Sequence, residues 1–296
     1  MIRGIVLRDL PVVPDGPAGL RAALGELELC QLPGLRWFSP TLDESTLDAL
    51  AVELSGIRLA AGLGAINAAH PGRATEAMEL GDGDPVRGWR RMIDAAARLT
   101  VESLHFTVGT LEDRFSGDWP RQLAATAELV RPLVRAADEV GIPLVLKTHE
   151  EMTSFELLRF AEATGVVAGF SPVNLLTRLE HPVAAARRLA PLVHTVFLDD
   201  AAITWTPAGL ARRMRPVGEG VVPWPEILGR LPAVPVVLDL HRAELDMPFH
   251  REDWAVTHPD LTVPELLSVA SLATADEPAT PLAHRREPGL KALLGK

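Results

Sequence analysis

A single cysteine, Cys30, excludes an internal disulfide and a thiolate-bound metal cluster. No apolar run approaches the ~20 residues needed to cross a bilayer. The opening Ile-Arg-Gly-Ile-Val-Leu-Arg reads as a strand and lacks the design of a signal peptide. Positive charge is in short supply. The formal net charge of −10 argues against a nucleic-acid backbone or an anionic membrane as the main partner. No repeat longer than a strand–helix unit and no interdomain linker is visible. These absences point to a soluble, cytoplasmic protein acting on a small molecule, with a homo-oligomer left open.

What is present is organised around the stretch from Gly141 to Asp200. Three short, β-branched, apolar runs end abruptly in polar residues: Lys147-Thr148-His149, Ser171-Pro172-Val173-Asn174 and Asp199-Asp200. Segments of helical length, Ser154 to Thr164 and Val183 to Ala190, lie between them. Buried strands alternating with helices predict a parallel sheet, and polar residues at the strand ends predict the C-terminal mouth of a barrel. With 47% hydrophobic residues, a core covering both faces of a sheet is affordable at 296 residues.

Extended over the chain, this pattern gives eight strands: Ile2 to Arg8, Leu35 to Ser39 (closed by Pro40), Ile57 to Ala61, Leu104 to Val108, Ile142 to His149, Val166 to Ser171, Val193 to Leu198 and Pro235 to His241. Thr41-Leu-Asp-Glu resembles a capping box opening a helix. Trp89, Met92, Ile93, Ala96 and Leu99 form one helical stripe. Gly62 to Pro85 reads as a long functional loop over the mouth, and Asp113 and Arg114 fall in a second loop. Cys30 lies upstream of any strand end drawn here and reads as a buried structural thiol. The expected architecture is a (β/α)8 TIM barrel over residues 1–276, with a loosely held tail over 277–296.

Ionisable residues on strand ends mark the inward face. Lys147 and His149 share one, Asp239 and His241 another, Phe197 and Asp199 a third, with Asp200 just outside. Lys147 and Asp239 read either as a structural ion pair or as chemistry, with Lys147 polarising a carbonyl or forming a Schiff base. His149 and His241 read as packing residues, as proton shuttles, or with Asp199 and Asp239 as a displaced metal site. Arg36 is a candidate carboxylate or phosphate grip, and Asn174 a substrate contact. Gly218-Glu219-Gly220 is a turn that holds Trp224 in place or offers its amides to an anion.

These motifs resemble the xylose isomerase-like barrels, the sugar phosphate isomerase/epimerase superfamily. There strand 5 ends Glu-Asn-His, strand 6 leads into Asp-x-Gly-Asn, strand 7 ends His-x-Lys-Asp, and a Gly-Glu-Gly turn precedes strand 8. The resemblance implies a divalent metal held at the positions of Lys147, Ser171, Phe197 and Asp239. An ammonium, a hydroxyl and a phenyl at three of these imply loss of that site, so no metal and no other cofactor is expected. The expected function is isomerase, epimerase or lyase-type proton transfer next to a carbonyl in a small polyhydroxylated or carboxylated substrate. Lys147, His149, Asp239 and His241 are the expected catalytic residues; Arg36, Asn174, Asp199 and Asp200 are expected to bind substrate. The alternatives are a metal-dependent enzyme with rearranged ligands, or a lapsed barrel that binds a ligand or partner.

Overall fold

Short apolar segments bounded by glycine, proline and polar residues form the strands in a computed structural model that describes residues 1–39, 41–275 and 277–295. Pro40, expected to close the second strand, Asp276, the expected domain boundary, and Lys296 lie outside the described residues. The strands in chain order are β1 (Arg3–Val6), β2 (Leu29–Leu32), β3 (Arg58–Ala65), β4 (Ser103–Thr107), β5 (Leu144–Lys147), β6 (Val167–Phe170), β7 (Val193–Leu198), β8 (Asp200–Thr206), β9 (Gly209–Arg215), β10 (Val236–Leu238), β11 (Leu245–Met247) and β12 (Ala273–Thr274). Eight of them close a parallel barrel in the order β1-β10-β7-β6-β5-β4-β3-β2, and the other four form a separate sheet, β11-β9-β8-β12. The (β/α)8 expectation holds.

Contacts cluster into two units. One spans Ile2–Lys147 and Arg159–Val167. In it the second strand is Leu29–Leu32, with Cys30 paired to Ile5 and Leu59, and not Leu35–Ser39 as expected. Pro33 lacks the N–H to continue the ladder, and after extended Gly34 the chain winds into a 3-10 turn over Leu35–Trp37. Burial pushes the Cys30 thiol up to about 12, which makes it inert at neutral pH. Asp43, not Thr41, caps the helix Glu44–Glu53, accepting from the Thr46 N–H at 2.9 Å. The expected open loop over 62–85 is ordered by the extension of β3 to Ala65 and a helix Thr75–Leu80. Asp113 and Arg114 lie on a short helix, Leu111–Phe115, closed by a Thr110–Asp113 capping box.

The other unit spans Thr148–Leu158 and the chain from Ala168 onward. Here β7 and β10 pair in parallel with Leu198 opposite Leu238, so Asp199 and Asp239 leave their strands at the same level. Between them the chain inserts the antiparallel hairpin β8–β9. The tail expected to be loose contains a helix, Leu282–Leu294. Its Arg285, Gly289 and Leu293 recur every four residues and are buried, so one helical face packs inward. Proline, alanine, arginine and lysine read as tail composition because the buried stripe is only one residue wide and holds a single large apolar side chain, Leu293.

Candidate active site

Two adjoining clusters of ionisable side chains stand beyond the C-terminal ends of strands in the second unit. The first is built on β7 and β10. Asp199 is buried, and its Oδ2 accepts from the His241 backbone N–H at 2.7 Å and from the imidazole Nδ1 at 3.1 Å. Its Oδ1 accepts from Asp200 N–H at 2.9 Å and from Arg285 Nη1 at 3.3 Å. A carboxylate can only accept, so Nδ1 carries the proton and Nε2 is the basic nitrogen. His241 Nε2 has no hydrogen-bond partner among the described residues and lies 4.0 Å from Asp239 Oδ2.

The second cluster follows β5. His149 Nδ1 lies 2.6 Å from Glu151 Oε2, and its Nε2 lies 2.8 Å from Glu150 Oε2. Burial alone would lower its pKa, but the two carboxylates prevail and hold the imidazolium up to about 10. Burial pushes Glu150 the other way. The hydrogen bond and charge of His149, with the charge of Arg212, overcome it and keep the Glu150 carboxyl well below the ordinary range. Arg212, fully buried on β9, reaches Glu150 Oε1 at 3.2 Å, Asn174 Oδ1 at 2.9 Å and the carbonyls of Val173 and Ala243. Asn174 also donates to the Thr148 carbonyl at 3.0 Å.

The eight residues singled out from the sequence therefore separate. Asp199, Asp239 and His241 share one cluster. His149 and Asn174 join a second through Glu150 and Arg212, close enough to the first for His241, when protonated, to act on the Glu150 carboxylate. Lys147 closes β5 and is half-buried. Asp200 turns to its own loop, where it accepts from the N–H groups of Ala201, Gly218, Gly220 and Val222. Burial still pushes its pKa up to about 6. The Gly218–Gly220 amides thus hold an internal carboxylate, and Trp224 donates to the Asp199 carbonyl at 3.1 Å. Arg36 belongs to the other unit, where its guanidinium pairs with Glu79 and lines a cleft of about 710 Å³ with Arg91 and Arg98.

Glu150, Glu151, Arg212 and Arg285 join these clusters without being among the residues expected from the sequence. The two glutamates directly follow His149, beyond the strand end that the apolar run defines. Arg212 shares one strand face with Leu210 and Met214, so an inward arginine was legible there. The spacing Arg285, Gly289, Leu293 was the signal in the tail.

Residues 34–236 match the family model described as the xylose isomerase-like TIM barrel, and the chain belongs to that family. The uncharacterized protein YihM of Escherichia coli (strain K12) is 26% identical over 121 residues, 40% of this chain, and the match spans 37% of that protein's length. Among solved structures, an L-ribulose 3-epimerase superposes with a TM-score of 0.62 at 13% identity, covering 100% of this chain and 94% of that one. A D-psicose 3-epimerase in the presence of D-fructose gives 0.61 at 15%, covering 100% and 97%. A xylose isomerase-like TIM barrel protein from Mycobacterium smegmatis in complex with magnesium gives 0.57 at 16%, covering 87% and 90%. At these identities the likeness carries the fold.

The family's divalent metal does not fit the residues at its positions. Phe197 is buried and apolar, Lys147 carries an ammonium, Ser171 offers one hydroxyl, and Asp239 alone offers an anionic oxygen. His149, Glu150 and Glu151 do bring ligand-type atoms within 4.8 Å of one another. Both imidazole nitrogens there face carboxylates, and Arg212 offsets Glu150, so the group is already neutralised from within.

Proposed function

We propose that the protein catalyses proton transfer next to a carbonyl in a small polyhydroxylated or carboxylated substrate, as an isomerase, epimerase or lyase, without the family's metal. The Asp199–His241 pair supports this reading above all. A carboxylate fixes the imidazole in one tautomer, and the basic Nε2 is left without a hydrogen-bond partner among the described residues. In the forward step Nε2 takes a proton from the carbon beside the carbonyl, and the bond's electron pair moves to the carbonyl oxygen as an enolate. Returning the proton to the former carbonyl carbon, while the adjacent hydroxyl passes its proton to the enolate oxygen, isomerises the substrate. Returning it to the opposite face of the first carbon epimerises it. Handing it to a departing β-hydroxyl, which leaves as water while the enolate re-forms the carbonyl, makes the step a lyase reaction. Asp239, near Nε2, relays the proton or holds a substrate hydroxyl.

A cation takes the electrophile's part. Lys147, at the end of β5, is the candidate to stabilise the enolate oxygen. Neutrality within the His149–Glu150–Glu151–Arg212 group supports a metal-free site.

The test is solvent deuterium wash-in, followed by NMR, with a panel of ketoses, aldoses and 2-keto acids. Exchange is expected at the carbon next to the carbonyl, and His241→Gln should lower it by about 10²-fold or more, the scale of a positioned acid–base. No exchange across the panel from folded protein would overturn the reading. Elemental analysis finding one divalent metal per chain, lost with Glu151→Gln, would replace it by the rearranged-ligand alternative.

A further inference from the structure

The C-terminal helix Leu282–Leu294 approaches the end of β10 closely. A Cβ added at Gly289 would lie 2.8 Å from Leu238 Cδ1, and Leu238 directly precedes Asp239. One turn earlier on the same face, Arg285 is 2% exposed, although arginine is rarely buried without cause. All three arms of its guanidinium are engaged. Nε donates to the Thr280 carbonyl at 3.1 Å, Nη1 to Asp199 Oδ1 at 3.3 Å, and Nη2 to the His241 carbonyl. Arg285 therefore grips both members of the Asp199–His241 pair, the carboxylate through its far oxygen and the histidine through its backbone. It touches neither imidazole nitrogen.

We infer that Arg285 is a positioning residue for His241. It locks the Asp199 carboxylate in the rotation that receives Nδ1–H, and so holds the basic nitrogen on Nε2. The inference rests on the proton-transfer reading for its catalytic consequence, but not for its structural content. Three observations carry it. The fork geometry of guanidinium suits a carboxylate and a carbonyl held side by side. Asp199 Oδ2 serves the His241 backbone and ring together, so a small rotation of the carboxylate loses both bonds at once. Among the described residues, the other donor to Asp199 Oδ1 is the Asp200 N–H, which lies on the next residue and moves with it. Of the two donors to Oδ1, only Arg285 comes from outside the turn that carries Asp199, so the helix fixes the oxygen that His241 does not hold.

This assigns the C-terminal segment a part in the active site. A chain that keeps the barrel but loses this grip should fold and yet present its histidine in mixed tautomers.

The experiment is ¹⁵N-edited NMR of the imidazole rings in the full-length protein, with the His241 signals assigned by their loss in His241→Gln. In the parent protein at neutral pH, Nδ1 and Nε2 of His241 should show the well-separated shifts of a single Nδ1–H tautomer. In Arg285→Met the two shifts should converge. Deuterium wash-in should fall by about 10²-fold, the scale of a misplaced reacting group. Arg285→Lys keeps a charge beside Asp199 but not the fork, so it should restore part of both. Converged shifts in Arg285→Met with recovery in Arg285→Lys support the inference. Ring shifts unchanged from the parent in Arg285→Met overturn it. If Arg285→Met does not fold, Arg285→Lys alone decides, since parental shifts and parental turnover there overturn the inference as well. The ring readout needs no substrate. Converged shifts in a protein with no exchange activity would therefore sink the proton-transfer reading and leave the positioning role standing.

Discussion

Lys147 ends an otherwise apolar strand, following three buried residues in β5. An ammonium drawn away from water needs compensation worth several kcal/mol, and that need alone would justify either a structural partner or a chemical role. The two differ in outcome. Should Lys147 stabilise the enolate oxygen, Lys147→Met gives a folded protein whose wash-in rate falls by about 10²-fold, the usual scale for removing an oxyanion donor. A folded variant with parental turnover would remove it from the mechanism. Residues next to one another can also part company. Asp199 and Asp200 are consecutive and buried, yet one orients His241 and the other gathers four backbone N–H groups. Their side chains leave opposite faces of the chain as it turns from β7 into β8, and the pair of letters carries no record of which is which.

At the scale of elements, the hairpin β8–β9 brings Arg212 to Glu150, and the turn at Gly218–Gly220 is pinned to the hairpin's first residue, Asp200. That attachment leaves no room for a side chain. A Cβ at Gly220 would lie 2.1 Å from Asp200 Oδ1 and 2.5 Å from the Ala201 carbonyl oxygen. Gly220→Ala should therefore lower stability by about 1–3 kcal/mol, the range for forced overpacking. Urea denaturation would show this as a lower midpoint at constant slope. An unchanged midpoint would mean that the turn is not held as described.

For the whole molecule, the sign of the charge network sets a pH dependence. His149 has its folded pKa raised from 6.5 to about 10. Between those values the folded protein binds the proton and the unfolded chain releases it. Its contribution to stability is thus complete below about pH 6.5 and is lost as the pH rises towards 10. Glu180, pushed by burial up to about 7 despite its bonds to Ser154 and Arg188, acts in the same direction at lower pH, above its ordinary 4.5. The melting temperature should therefore fall from pH 7 to pH 10. In His149→Gln it should start lower and fall less. Parallel curves for the two proteins would place the alkaline loss elsewhere.

The sequence by itself determined the barrel. Alternation of short apolar runs with amphipathic helices is a local property, and a parallel sheet buried on both faces leaves no other use for it; β7 came out at Val193–Leu198 to the residue. It also marked the strand ends where ionisable side chains gather, because Asp199, Asp239, His241 and His149 are costly anywhere but an open mouth or a paired site. Only the tertiary structure decided how they pair. Which oxygen of Asp199 faces His241 depends on the parallel register of β7 with β10. Arg212 and Arg285 arrive from a hairpin and a helix 13 and 86 residues beyond Asp199, across separations that no periodicity spans. A local pattern fixes which residues must be buried or polar. The partner of a buried charge is fixed by where other elements end in space, and that is settled when the chain packs.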